Sequence, residues 1–446
     1  MKIKNSHHLS LILLLGFIFF TILIYLLRVK ISGYHYGDTD FFKFYQSVRF
    51  YFAGQSLYNP TIMEVNKQTT TLWITANGNL NPPFLTLLLL PLYYVNYANA
   101  LTIWTVGSLI LMFTSAWLVM RPFPEWHKYR LPILAVFAIY MPNSANLAYG
   151  QICNYLFIWI ALAWLLGRQK RDILAGILIG IACAIKIFCG LFLIYFLCIK
   201  RFRLLVSALI TGACAFLTSL LLFGLDNYFH YRAVLKQIKW YSASWNISFY
   251  GFFTRIFSHT EKNKPLIYIP HLTEILTVLC SIVLLIYLIY IWKKLGNTHF
   301  DIGFSLTLIT MLLLSPLGWI YYFGLLIIPY LVLVQQSRET RYHNIMPIIL
   351  CIILFFSSLS GNFISTTGIK TTEEIFVSGG VGFYTLIALL ILYITIIKEK
   401  LGTTSLISPQ KYIISETNWF VLYAVAFAPS LISFICISKN VWDMWR

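Results

Sequence analysis

The chain has 446 residues, of which 59% are hydrophobic, 17% aromatic and only 11% charged. No soluble domain has that balance. The net charge of +18 is scattered in short clusters between apolar runs, which is the footprint of membrane topology rather than of a nucleic-acid surface.

Residues 9–27 follow Lys2 and Lys4. This run is too long for the apolar core of a secretory signal, and no small-residue cleavage site follows it, so it reads as a retained first helix. It and the runs 267–292 and 375–397 are long enough, at about 20 residues, to cross a bilayer core of roughly 30 Å. Backbone groups inside lipid must be satisfied within their own segment, so these runs are helices. The eight cysteines lie mostly in or beside apolar runs and form no Cys-x-x-Cys pair. They read as small buried hydrophobes, not as a metal site.

The first loop opens with Asp38-Thr39-Asp40, two of only 15 acidic residues. From residue 40 to 53 the apolar Phe41, Phe44, Tyr45, Val48 and Phe52 recur at steps of three and four. Lys43, Gln46, Ser47 and Arg49 tend to the other side. The pattern predicts an amphipathic helix of interfacial type. Asp38 or Thr39 is placed to cap it and Gly54 to end it. Residues 81–119 read as a short helix after Pro82-Pro83 and then a full one.

Basic clusters at 121–130, 168–171, 200–203, 293–294, 338–341 and 398–411 mark the turns of the cytoplasmic side. Residues 131–147 and 152–166 make a hairpin with its outer turn at 148–154. Residues 173–199, bounded by positive clusters at both ends, are too few for two full spans. They predict two half-length helices meeting near Lys186. Ser315-Pro316-Leu317-Gly318-Trp319 predicts a second break on the outer side. The reading is an all-α polytopic membrane protein with about 11 to 13 membrane helices in a single domain. Its parts are a first helix (1–30), an outer catalytic loop (31–81), a helix bundle (82–222), a second outer loop (223–265) and C-terminal helices (266–446). Residues 360–378 form one more outer segment.

Four constellations carry chemistry. Helix capping explains one of Asp38 and Asp40 well and two poorly. The alternative is a general base at the mouth of a membrane cavity, which must lose its proton near neutral pH and face a substrate hydroxyl. A metal site would need further oxygen ligands, and no third carboxylate is apparent. Lys186 stands in an apolar run, where an ammonium either snorkels or faces a cavity. At the apex of two half-helices it would reach a phosphate. Arg255, with Asn246 and Ser248, lies in an aromatic-rich outer loop and suits bidentate phosphate contact. Gln151 and Asn154 sit on the short outer turn, where amides orient sugar hydroxyls or cap helix ends. Together these groups suit a donor with a lipid tail, a phosphate and a sugar. Transfer from a lipid phosphate needs a base for the acceptor hydroxyl and cations for the phosphate charge. It needs no second carboxylate, because phosphate leaves without a protonating acid.

The order of these segments resembles the glycosyltransferase family 87 membrane proteins of the GT-C class. The resemblance runs from "TDFFKFYQSVRFYFAGQSLYNP" through "NPPFLTLLLLPL", "GQICN", "AGILIGIACAIKIF", "NISFYGFFTRI" and "LLLSPLGW". It implies a GT-C-type helix bundle and polyprenol-phosphate-mannose-dependent transfer, with the catalytic aspartate at Asp40 rather than Asp38. It further implies an inverting reaction on the outer face of the cytoplasmic membrane, with no metal and no cofactor. Family members often carry histidines just after the Ser-Pro…Trp block. Here Trp319-Ile320-Tyr321-Tyr322 stands instead, so Trp319 and Tyr322 join the expected sugar and acceptor contacts. Expected partners are the polyprenyl-phosphate sugar, membrane lipids, and a glycolipid, polysaccharide or protein acceptor, with no nucleic acid. The alternative is a flippase for lipid-linked sugars, which would be expected to show an internal repeat and binding groups near the membrane midplane.

Overall fold

A computed structural model of the chain describes residues 2–32, 39–58, 78–260, 264–359 and 372–402. Among them every regular element is a helix, and the protein is an all-α polytopic membrane protein. In chain order the α-helices are α1 (Lys2–Ser32), α2 (Asp40–Phe52), α3 (Pro83–Leu89), α4 (Tyr97–Met120), α5 (Arg130–Ile139), α6 (Met141–Ala148), α7 (Cys153–Arg168) and α8 (Asp172–Ile185). They continue as α9 (Leu191–Cys198), α10 (Phe202–Phe223), α11 (Asp226–Lys236), α12 (Phe249–Phe257), α13 (Leu272–Leu295), α14 (Phe300–Leu314), α15 (Ile327–Ser337), α16 (Met346–Leu359) and α17 (Thr372–Gly402).

Among the described residues, five helices are long and apolar enough to cross a membrane: Tyr97–Met120, Phe202–Phe223, Leu272–Leu295, Ile320–Ser337 and Gly380–Leu401. The pair Pro124–Ile139 and Met141–Ala148, bent by 54°, brings the number to six. The other apolar helices run 10–17 residues, so the 11 to 13 crossings expected from the sequence are not each one continuous helix. The reason is local: Pro, Gly and polar residues interrupt the apolar runs, as at Lys186 and at Ser315-Pro316. Asn96 caps α4 by accepting from the Asn99 N–H at 2.9 Å, which ends the short α3 segment as expected after Pro82-Pro83.

Residues 172–198 form a re-entrant hairpin. α8 closes at the Lys186 N–H, which donates to Ala182 O at 2.8 Å. Lys186 is extended (φ −139°, ψ 112°), a 3-10 turn follows at Ile187–Gly190, and α9 returns. Neither arm has the roughly 20 residues of a full span. α8 is held to α10 by close backbone approach. A Cβ on Gly180 would lie 2.6 Å from Ala208 O, and one on Gly176 would collide with Ser207 and Leu204 O. Gly176 and Gly180 are four residues apart, the spacing by which two membrane helices bring their backbones together. Away from these contacts, α10 and α13 present rows of exposed large apolar side chains, such as Leu209, Ile210, Ile282 and Ile286. These face the lipid.

α2 departs from a simple interfacial helix. Of its expected apolar face Phe41, Phe44, Tyr45 and Val48 are buried while Phe52 is exposed, and Phe42, Ser47 and Phe50 on other sides are buried too. The Ser47 hydroxyl donates to Leu57 O at 2.8 Å and accepts from Asn79 Nδ2 at 3.1 Å. Chain segments fold back over the side expected to face water, where Arg49 alone stays exposed among Lys43, Gln46, Ser47 and Arg49. Gly54 ends the helix with φ +69°, the left-handed value that favours glycine.

Candidate active site

The start of α2 is tied to the turn between α6 and α7. The Asp40 N–H donates to Tyr149 O at 2.8 Å. Gly150, at φ +62°, lies so close to α2 that a Cβ would come 2.7 Å from Phe41 Cβ. Phe41 stacks on Trp104 with ring centroids 5.1 Å apart, and Trp104 Nε1 donates to Gly150 O at 2.9 Å. This packing sets the next residue, Gln151, beside the aspartate. Gln151 Nε2 donates to Asp40 Oδ2 at 2.5 Å, and Lys43 Nζ lies 2.6 Å from Oδ1. Both contacts fix the plane of the carboxylate. Each oxygen keeps a further lone pair for a proton from outside. Thr39 occupies the N-cap position with an extended backbone but makes no capping bond, because its hydroxyl is shared with Tyr97 OH at 2.8 Å. Asp38 lies outside the described residues.

Asp40 opens onto a cavity of about 1160 Å³. Its wall includes Lys43, Gln151, Lys186, Trp319, Tyr321 and Tyr322. Among the described residues Asp40 is its only carboxylate, and Lys43 and Lys186 are its only cations. The Lys186 ammonium makes no hydrogen bond or ion pair with any described residue. The charge that acts on it most is that of Asp40. One side of the cavity is apolar, formed by Ile187, Leu191, Ile194, Met311 and Leu314, and Ile187 is 64% exposed. Aromatic rings close the other side. Tyr149 and Trp245 meet edge-to-face at 5.4 Å, and Trp245 and Trp319 at 6.3 Å.

Of the residues expected from the sequence, Asp40, Gln151, Lys186, Trp319 and Tyr322 come together here. Four others do not. Asn154 points from α7 to α4, where its Nδ2 donates to Ser108 Oγ at 2.9 Å. Asn246 donates to Tyr241 O at 2.9 Å and Pro316 O at 3.0 Å, and it pairs in a short antiparallel bridge with Trp319. Ser248 caps α12, accepting from the Gly251 N–H at 3.0 Å and donating to Asn246 Oδ1 at 2.9 Å. Arg255 is 1% exposed, and its Nη1 donates to Ala243 O at 3.0 Å and Asn246 O at 2.9 Å. None of the four lines the cavity. Asn246, Ser248 and Arg255 use their polar atoms to fasten residues 241–248 onto the break after α14, where Ile247 N donates to Gly318 O at 2.7 Å and Ile320 N to Trp245 O at 2.9 Å. The Arg255 Nη1 is thus spent on carbonyls of residues 243 and 246 rather than on this cavity, and the side chains of Asn154, Asn246 and Ser248 are likewise absent from its wall. From α11, Tyr231 and Leu235 line the wall, while Arg232 and Lys236 of the same helix do not.

Sequence reasoning gave no role to Lys43. Its signal was present: it stands three residues after Asp40 on a helix, where side chains meet. Tyr149, Trp245 and Tyr321 were not singled out as contacts, since nothing in a sequence marks which aromatic rings of a loop face inward.

Comparison with known proteins adds a family. The model of glycosyltransferase family 87 matches residues 79–316, more than half of the chain. The match covers Gln151 and Lys186, and begins after Asp40. A polyprenol-phosphate-mannose-dependent alpha-(1-2)-phosphatidylinositol pentamannoside mannosyltransferase of Mycobacterium tuberculosis (strain CDC 1551 / Oshkosh) is 24% identical over 249 residues, 54% of each protein. The chain thus spans about half the length of the curated relative it matches. No solved structure matches. With its all-α membrane fold and with more than half of its length matched, the chain belongs to glycosyltransferase family 87.

Proposed function

We propose that the protein transfers a sugar, mannose first among candidates, from a polyprenyl phosphate to a hydroxyl of an envelope acceptor, with Asp40 as the general base. The acceptor class we favour is a glycolipid, the class that the name of the mycobacterial relative carries. The observation that carries the reading is one cavity that, among the described residues, holds a single, doubly oriented carboxylate and an ammonium without a side-chain partner beside an apolar wall. The prenyl tail lies along Ile187, Leu191 and Leu314. The phosphate meets Lys186, and the sugar sits against the rings of Trp319 and Tyr322.

Asp40 accepts the proton of the acceptor hydroxyl. That oxygen bonds to the anomeric carbon while the bond from this carbon to the phosphate oxygen breaks. The electron pair stays on the phosphate, and polyprenyl phosphate departs. Attack from the face opposite the leaving group inverts the configuration. Lys186 stabilises the charge that builds on the phosphate in the transition state. Lys43 and Gln151 hold the Asp40 carboxylate aimed into the cavity. The cavity faces the outside of the cytoplasmic membrane and the basic turns face inward, following the charge rule.

The test is incubation of the purified protein in detergent with radiolabelled polyprenyl-phosphate mannose and a membrane lipid extract. Label should enter a glycolipid with wild type and not with Asp40→Asn. Transfer by Asp40→Asn at the wild-type rate would remove the base from this reading. No transfer from any of a panel of polyprenyl-phosphate sugars would remove the donor class.

A further inference from the structure

A second cavity, of about 720 Å³, lies at the other end of the bundle. α7 and α14 run between the two. α7 begins beside Gln151 and ends at Arg168, while α14 begins at Phe300 and ends beside Ser315. The hairpin of α8 and α9 starts and returns at this pocket, with Lys186 at its far apex.

The pocket wall carries five cations, Arg168, Lys170, Lys200, Arg201 and Arg203, and two carboxylates, Asp172 and Asp301. Both carboxylates are already used: Arg201 pairs with Asp172, and Arg168 with Asp301. These two arginines form the floor, with the Arg201 guanidinium 4.6 Å from the centre of the Phe300 ring and that of Arg168 5.0 Å from the Trp164 ring. Lys170, Lys200 and Arg203 remain at the rim with no carboxylate partner among the described residues. Lys170 and Lys200 both take φ +58°, the left-handed position after a helix where glycine is the usual choice. Two separate turns thus place a lysine where backbone geometry alone favours glycine. The first turns of α8, α10 and α14 also reach the pocket, and none has a side-chain cap. Their N–H groups add positive potential. Ile173, Leu174 and Phe202, all at least half exposed, border the pocket with apolar surface that meets lipid.

We infer that this pocket binds a phosphate-bearing anion, with the apolar border favouring the headgroup of an anionic phospholipid over a free phosphate. Lys170, Lys200 and Arg203 are its ligands, and the paired Arg168 and Arg201 shape its floor. The inference stands on this pocket alone and does not depend on the chemistry of the larger cavity.

The test compares the full chain with Lys170→Gln/Lys200→Gln/Arg203→Gln and with the single variant Arg203→Gln, which alters only an exposed residue inside a helix. Lys293→Gln/Lys294→Gln is the control, since it removes two exposed cations that do not line the pocket. Each protein is exchanged into nanodiscs of phosphatidylcholine with and without phosphatidylglycerol, and retained lipid is read by native mass spectrometry. Separately, inorganic phosphate is titrated into detergent-solubilised protein. We expect wild type to retain phosphatidylglycerol selectively, the triple variant to lose it on the order of a hundredfold and the single variant in part, given the attraction of each basic side chain to an anionic headgroup. The control should match wild type. Binding of inorganic phosphate with the same dependence on these variants, without selectivity for phosphatidylglycerol, would support the anion site and assign it a soluble ligand. Wild-type retention by the triple variant, or an equal loss in the control, would overturn the inference and leave these charges only a topological role.

Discussion

The two ends of α7 and α14 hold cations in opposite circumstances. At the basic end, the buried Arg201 is matched by Asp172 and the half-buried Arg168 by Asp301. The unmatched Lys170, Lys200 and Arg203 stand in the open. In the larger cavity the cations are fewer, yet Lys186 is only partly exposed and its ammonium has neither hydrogen bond nor ion pair among the described residues. An uncompensated ammonium at membrane depth is costly and persists where something must be bound. Counting charge points to the basic pocket as the busiest place in the molecule. Asking which charge is left unsatisfied points to the cavity. The two ends thus differ in the state of compensation as well as in the density of charge, and the proposed active site lies where a cation is left uncompensated among the described residues.

The largest test of that contrast is Asp40→Asn. The amide keeps the size and a hydrogen-bond acceptor but cannot take a proton. Turnover should fall by about 10²- to 10⁴-fold, the usual contribution of a general base. Size-exclusion behaviour and membrane insertion should be unchanged. A variant with near-normal turnover would move the base elsewhere.

Next in size is Lys186→Met against Lys200→Met. The first removes the unpaired ammonium of the cavity and should lower kcat/KM by about ten- to a thousandfold, with a raised donor KM and an unchanged acceptor KM. The second removes a rim charge at the opposite end and should leave transfer at the wild-type rate. If both variants show equal donor kinetics, Lys186 is not a phosphate ligand.

A finer contrast sets Gln151→Ala against Asn154→Ala, two amides three residues apart on one turn. Gln151 bonds the Asp40 carboxylate, so its loss should reduce kcat by roughly tenfold or more, the scale of a hydrogen bond to a charged group. Asn154 bonds only Ser108. Its loss should cost about 1 kcal/mol of stability, read as a small drop in melting temperature, with kcat per folded molecule unaltered. A reversal of this order would show that the turn presents its other face to substrate.

The smallest effect on chemistry is expected for Arg255→Lys. Its guanidinium holds two loop carbonyls and does not reach the cavity. The variant should unfold at lower temperature, since an ammonium cannot hold both carbonyls in the same fork. Donor KM should stay close to wild type. A large, selective rise in donor KM would return Arg255 to the phosphate site.

Much of this architecture was legible before any coordinate. Lys186 interrupts an apolar run bounded by basic clusters, and the break appears there. Ser315-Pro316 stops α14 because the residue before a proline disfavours helix. The face of α2 follows from the period of its aromatics. What failed to be legible were the polar residues near helix ends. Asn154, Asn246, Ser248 and Arg255 have the composition of a binding site, and each is instead consumed by a carbonyl, a hydroxyl or a cap.

The sequence alone therefore determined the membrane class, the breaks at Lys186 and Ser315, and the presence of one carboxylate at the start of α2. Each follows from local rules: apolar length, helix-breaking residues and periodicity. Only the tertiary structure decided that Lys43 and Gln151 grip Asp40, that Lys186 shares its cavity, and that Arg255 turns away into the loop. A polar side chain has several partners within chemical reach, and which one it meets is settled by how distant helices pack. Gly150 against Phe41 and Gly180 against α10 are the contacts that set that packing, and no local pattern in the chain reports them.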